Sequence, residues 1–361
     1  MRLATRTLNV LVLASLLIGP IGAGHATLRR TSKPKILLLF DMEGVSGINR
    51  LAQVVYGNPG YEQARHLLTA DVNAAIRGLK DGGAGEIVVI DGHGSSNSNE
   101  PDIIVGEMDK RASMGFRDTM FDPYTSPDAT YQAIVSIGAH ASTGKPGFLA
   151  HTRSRISAYK VNGVELTETT IIALAGMRFR IPVIMVSGDN VLEGQIKEQF
   201  PNATYALVKK ARGVGDAELL PLDVAHDNIE RAAKLAISKL PSFKPFQMKK
   251  PYNFEIIFRN EDQAGYASAY PGVRRIGAST VAFTTNDVIE GIDRAATLAR
   301  IARQEFRDVL FDVIQAQPNA KEIMAEWRRQ LDERWLNPKS EISPPAQTRA
   351  PAQKRKYWGD N

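Results

Sequence analysis

Four short apolar runs, separated by helical spacing, constrain this chain more than any other feature. They are Lys35–Phe40, Glu86–Ile90, Tyr131–Ile137 and Ile181–Val186. A strand covered on both faces reads as an unbroken apolar run, whereas a half-exposed one alternates. Between the first two runs, Leu67, Leu68, Val72, Ala75, Ile76 and Leu79 recur at helical spacing within Tyr61–Leu79, and Asp81–Gly85 ends that segment. The spacing predicts further helices over Glu168–Met177 and Asn228–Leu240. Buried strands alternating with helices imply an α/β fold, a mostly parallel sheet flanked by helices.

Pro241-Ser-Phe-Lys-Pro245 interrupts this pattern. We therefore expect a catalytic α/β domain over 34–240 and a smaller C-terminal α+β portion over 246–309. Its expected strands are Asn253–Phe258 and Ser279–Thr284, and its helix starts at Asp287 and runs to Val309. Residues 310–336 read as an appended helical piece, amphipathic from Lys321 to Trp335. Residues 337–361, rich in Pro, Ser, Gln and charge, read as a disordered tail.

The N-terminus has a different character. Arg2 and Arg6 precede an 11-residue apolar run from Leu8 to Ile18, and small residues follow to Gly24-His25-Ala26. This is the pattern of a secretory signal, and the run is shorter than the ~20 residues a spanning helix needs. We expect residues 1–26 to be removed, leaving an exported protein, periplasmic or secreted, with no stable membrane insertion. Two arginines and no acid leave with that segment, so the net charge falls from +6 to +4. Much of the remaining excess lies in the tail, at Arg349, Lys354, Arg355 and Lys356, and no basic stripe marks a nucleic-acid partner. The chain has no cysteine. That excludes disulfides, thiolate metal sites, iron–sulfur clusters and a Cys nucleophile.

The chemistry-bearing residues follow the strands. Phe40 leads into Asp41-Met42-Glu43-Gly44, Ile90 into Asp91-Gly92-His93-Gly94, and Ile137 into Gly138-Ala139-His140. Sites in open parallel sheets form outside the carboxyl ends of strands. Three strand ends thus deliver carboxylates and imidazoles to one rim. Asp41 and Glu43, two apart, point to the same side of an extended segment. A mixed imidazole and carboxylate set favours zinc over magnesium or calcium. Asp41, Glu43, His93 and His140 exceed the three protein ligands that one catalytic zinc needs, and a fifth ligand makes two metals plausible. Each residue has a plainer reading: an acid after a strand is often a helix cap, and Gly92 and Gly94 suit a turn. Their joint occurrence carries the argument. His66 and His226 are assigned to surface or packing roles. No P-loop and no nucleophile-elbow serine motif is present. A Ser/His/Asp set using Ser95, Ser96 or Ser98 is the nucleophilic alternative in this stretch.

Taken together, FDMEGVSGI, IDGHGS and GAHAS, with a histidine 11 residues beyond His140, resemble the zinc-dependent D-aminopeptidases of the DppA type. That later histidine closes Pro146-Gly147-Phe148-Leu149-Ala150-His151, like the family's Pro-Gly-x-x-x-His motif. A family glutamate six residues after an Asn corresponds to Glu168 in Asn162–Glu168, with Glu165 as the competing choice. The resemblance extends through Pro182–Asp189 and Tyr270-Pro271-Gly272 to Thr280-Val281. Leu39 stands where the family often has Ser, and so does Gly92, which bears on the surroundings of the ligands and not on the ligands. The resemblance implies two zinc ions per chain. Asp41 would bridge them, Glu43 and His93 would complete one shell, and His140 and Glu168 the other. It implies His151 as the catalytic residue, nucleophile or general base, and a ring-like decamer. The expected activity is an exported two-zinc aminopeptidase hydrolysing N-terminal D-amino acids, D-Ala first, from short peptides. A two-metal hydrolase of another amide or a phosphoester is the alternative within enzymes. An envelope solute-binding protein, with no metal and two similar lobes, is the alternative outside them.

Overall fold

A computed structural model describes residues 33–97, 100–115 and 123–336. The expected signal segment and the expected tail lie outside the described residues. The first half of the chain runs through β1 (Ile36–Phe40), α1 (Tyr61–Asp81), β2 (Ile87–Asp91), β3 (Ser113–Met114), β4 (Ala133–Ile137), β5 (Ser157–Val161), β6 (Val164–Glu165) and α2 (Glu168–Gly176). Next come β7 (Val183–Asp189), α3 (Asn190–Gln199), β8 (Thr204–Gly213), β9 (Asp216–Leu219) and α4 (Leu222–Ser238). The last part holds β10 (Tyr252–Phe258), α5 (Glu261–Ser268), β11 (Arg274–Arg275), β12 (Thr280–Thr285), α6 (Val288–Ala302), α7 (Gln304–Gln315) and α8 (Ala320–Leu336).

A seven-stranded sheet has the order β3-β2-β1-β4-β7-β8-β9, parallel except for β9. The strand order reverses between β1 and β4, the switch point where the crevice of such a sheet opens. Both faces are covered, as the apolar runs imply. Along β1, Leu37 and Leu39 enter one core, while Ile36, Leu38 and Phe40 enter the other. The second core holds Leu68, Val72 and Ile76 of α1 with Ile229, Ala233 and Ile237 of α4.

The first core joins the seven-stranded sheet to α2, α6 and a second, antiparallel sheet of order β11-β12-β10-β5-β6. This second sheet is not made from the chain beyond Pro245 alone. β5 and β6 precede α2, and β5 pairs with β10 from Phe254–Val161 to Phe258–Ser157. It therefore crosses the break that sequence composition suggests, because β10 and α6 need β5 and α2 to cover their apolar faces. The expected helix from Asp287 to Val309 is divided: α6 ends at Ala302 and α7 begins at Gln304.

Candidate metal centre

The ends of β1 and β4 cross at closest approach. The Asp41 amide donates to the Ile137 carbonyl at 2.8 Å, and the Gly44 amide to the Gly138 carbonyl at 2.7 Å. A Cβ at Gly44 would lie 2.0 Å from the Ala139 oxygen. One at Gly138, whose φ is +70°, would lie 2.2 Å from the Asp41 oxygen. Only glycine fits at both positions. This contact puts Asp41, Glu43 and His140 in one buried cluster. From the next strand, the Asp91 carboxylate accepts from the His93 amide at 2.8 Å and the Asp102 amide at 2.9 Å. Asp91 is thus spent on the turn that aims His93.

Within the cluster Asp41 faces two ways. Its Oδ1 lies 2.9 Å from His93 Nδ1 and its Oδ2 lies 3.1 Å from His140 Nε2. Glu43 Oε2 is 3.2 Å from His93 Nδ1, and Glu168 Oε2 is 3.7 Å from His140 Nε2. Two metal-competent triads result, Asp41-Glu43-His93 and Asp41-His140-Glu168, with a third, Glu43-His140-His151, across them. Glu165 takes no part. It accepts from Ser142 Oγ at 2.7 Å and pairs with Lys145 at 3.0 Å. His151 is reached from the other side. Its amide donates to Ala141 O, and its ring stacks on His140 with centroids 4.1 Å apart and planes 9° apart. His66 is exposed and pairs with Glu107 at 2.9 Å, and His226 lies 3.3 Å from Asp71.

Backbone carbonyls orient all three rings. His93 Nε2 donates to Val54 O at 2.8 Å, His140 Nδ1 to Ala141 O at 3.1 Å, and His151 Nδ1 to Leu149 O at 2.8 Å. A carbonyl only accepts, so each neutral ring turns a bare lone pair inward. That is the arrangement of a metal-ligating imidazole. Glu43 Oε2 and His140 Nε2 are buried without a hydrogen-bond partner. Orphaned buried acceptors of this kind, in a set of imidazoles and carboxylates, fit a zinc-type cation.

The charges press the same way. Burial opposes the charged ring at His140, but the carboxylates of Glu168 and Asp41 override it and lift its pKa to about 10. At His93 burial is likewise overridden, by Glu43 and Asp41, and the pKa rises well above the usual imidazole range. Burial pushes Glu43 up, yet His93 holds it well below the usual carboxylate range. Asp41 is pushed up by burial and by Glu43, but His140 and His93 hold it low. Three buried carboxylates need positive charge beside them. Protons on the imidazoles can supply it, and so can cations.

Three residues around the cluster carry no signal in the sequence pattern. Tyr124 donates its hydroxyl to Glu168 Oε2, and burial with the Glu168 charge keeps that phenol protonated. The Arg153 amide donates to Glu168 Oε1 at 2.6 Å. Lys209, fully buried, donates from Nζ to the carbonyls of Glu43 at 2.7 Å and Ile48 at 2.6 Å, and so holds the loop that carries Glu43.

Comparison with known proteins identifies the family. The D-aminopeptidase family model matches residues 35–295, which spans β1 to α6 and all six candidate site residues. The chain belongs to the D-aminopeptidase family. A family relative, the D-aminopeptidase of Bacillus subtilis (strain 168), is 26% identical over 271 residues, covering 74% of this chain and 97% of its own. The solved structure of the Zn-dependent D-aminopeptidase DppA from Bacillus subtilis, described as a self-compartmentalizing protease, matches with a TM-score of 0.71. It is 25% identical, and the match covers 75% of this chain and 98% of that one. The part of this D-aminopeptidase family member beyond residue 295, with α7 and α8, lies outside the family match.

Proposed function

We propose that this chain is a zinc aminopeptidase that removes N-terminal D-residues, D-Ala foremost, from short peptides. It acts after export and holds two zinc ions per chain. The observation that carries the reading is the division of Asp41, one oxygen facing His93 and the other His140, with Glu43 and Glu168 completing a triad on each side. Asp41, Glu43 and His93 would hold one ion, and Asp41, His140 and Glu168 the other. Zinc bound there supplies Lewis acidity toward a peptide carbonyl and lowers the pKa of water.

The chain's own groups do the rest. His151 lines the cavity above the cluster, and its Leu149 bond leaves Nε2 as the acceptor. At that atom it takes the proton of an attacking water and returns it to the departing amine. Tyr124 and the Arg153 amide fix the Glu168 carboxylate. Burial of the cluster excludes bulk water, which strengthens each interaction within it. The self-compartmentalizing relative supports assembly with further copies of the chain, and a decamer is the form we propose. Among the described residues no helix is long and apolar enough to cross a membrane.

The test is a zinc count on the purified protein beside cleavage of D-Ala-p-nitroanilide and its L isomer. The proposal expects about two zinc per chain, as in other two-metal sites, and cleavage of the D isomer alone. Two zinc without D-peptide cleavage moves the substrate to another amide or a phosphoester. A metal-free protein after zinc reconstitution refutes the centre itself.

A further inference from the structure

The cavity at the metal centre, about 400 Å³, is lined by three carboxylates and three arginines. The carboxylates are Asp41, Glu43 and Glu168, all in the cluster. The arginines are Arg153, Arg155 and Arg303, and the proposed chemistry has not used their guanidinium groups. A second cavity of about 30 Å³ adjoins it, lined by Arg153, Arg300 and Arg303 together with Ser154 and Tyr159. Arg153 and Arg303 line both spaces and therefore form the wall between them. None of the cluster carboxylates reaches the smaller one. The smaller space is thus arginine-lined and free of the cluster acids, while the larger one holds both signs of charge.

Arg153 is held there at some cost. Its φ is +56°, in the left-handed region, while its amide is bonded to Glu168 and its guanidinium lies 5.4 Å from the Tyr124 ring centroid. A non-glycine residue stays in that region only where its surroundings hold it there, here the amide bond to Glu168. Arg303 arrives from the end of α6, in the part of the fold built on the second sheet. Both are half-buried, and guanidinium forks in partly dry surroundings bind carboxylates in bidentate fashion.

We propose that Arg153, Arg155 and Arg303 are specificity residues that bind the free C-terminal carboxylate of the substrate. The preferred substrates are then free-acid di- and tripeptides. This rests on the aminopeptidase reading. A dipeptide carries its amine and carboxylate on opposite sides of the scissile carbonyl, and the cavity lining offers carboxylates for the one and guanidiniums for the other. A volume near 400 Å³ sits at the low end of the ~300–1,000 Å³ of small-ligand pockets, and suits a short peptide.

The experiment compares kcat/KM for D-Ala-D-Ala, its C-terminal amide, and D-Ala-D-Glu amide, using zinc-loaded protein. The expected result is a preference of about tenfold or more for the free acid over its amide, the yield of one charge-assisted hydrogen bond. The preference resides in KM, and the Glu amide behaves like the plain amide. In Arg303→Gln and Arg155→Gln the acid-to-amide ratio falls toward one at wild-type zinc content, and Arg303→Lys restores part of it. Equal cleavage of acid and amide by the wild type overturns the proposal while leaving the aminopeptidase reading intact. Fast cleavage of the Glu amide overturns the terminal assignment in favour of an acidic side chain. Cleavage of none of the three overturns the aminopeptidase reading and this proposal with it.

Discussion

Gly44→Ala is the sharpest test of how the strand ends build the centre. The new Cβ would sit 2.0 Å from the Ala139 oxygen and 2.5 Å from the Gly138 carbonyl carbon, both backbone atoms. Ordinary contact begins at 3.4 Å, so the two segments must part by about 1.4 Å, the difference between 3.4 and 2.0. Asp41 rides on one segment and His140 on the other, with 3.1 Å between Oδ2 and Nε2. Metal ligands tolerate only about ±0.2 Å. The shift therefore cannot be absorbed without losing a ligand from one side of Asp41. We expect a folded protein destabilised by about 3 kcal/mol, with zinc affinity reduced by 100-fold or more on the order set by losing one ligand interaction. Equilibrium zinc content in a chelator buffer reads the affinity, and a urea melt reads the stability. Gly106→Ala serves as the control, because nothing lies within 4 Å of its added Cβ. A Gly44→Ala protein with wild-type zinc content and kcat/KM would refute the claim that this close approach builds the centre.

Three further outcomes follow from the same geometry. His151→Ala should lower kcat by about 10²–10⁴-fold, the range of a lost general acid–base, while zinc content measured by atomic absorption stays at the wild-type level. Lys209→Met leaves the carbonyls of Glu43 and Ile48 without their donor. It should cost about 2–4 kcal/mol in a urea melt and weaken zinc binding, since each buried acceptor left unpaired costs ~1–3 kcal/mol. In the metal-free chain the carboxylates hold His140 protonated to about pH 10 and His93 well above the usual range. A ligand imidazole must be neutral, so zinc uptake at pH 7 should release about two protons per chain and zinc affinity should fall as pH falls. Calorimetry in buffers of different ionisation enthalpy measures that release, and uptake without proton release contradicts the ligand assignment of the two rings.

How much was legible depended on whether a signal was local. β1, β2, β4 and β7 were readable because a strand buried on both faces must be apolar throughout. The carboxylates and histidines that follow β1, β2 and β4 were readable for a related reason, since parallel strands deliver their next residues to one rim. β5, with the pattern Ser-Ala-Tyr-Lys-Val, alternates buried and half-buried positions over only five residues. Its pairing with β10 bridges 93 residues at Val161–Phe254 and 101 at Ser157–Phe258, and no local spacing encodes that. β8 carries no such signal, because Lys209 and Lys210 interrupt its apolar character. Lys209 is tolerated inside only because two carbonyls of a distant loop receive it.

Glu168 and Glu165 are equivalent as a sequence reads them, two acids three residues apart. Their difference is tertiary: Glu168 opens α2 facing Tyr124 and His140, whereas Glu165 ends β6 facing Ser142 and Lys145. The arginines of the cavity belong to the same class, since Arg153 and Arg303 meet only after the second sheet has packed against α2. What the sequence by itself determined was the parallel sheet, its rim and the kind of chemistry the rim can support. Burial and backbone spacing are written into residue type there. Only the tertiary structure decided which carboxylates converge, which nitrogen of each histidine faces them and what else lines the cavity. Those depend on contacts between segments far apart in the chain, and no local pattern of residues records such contacts.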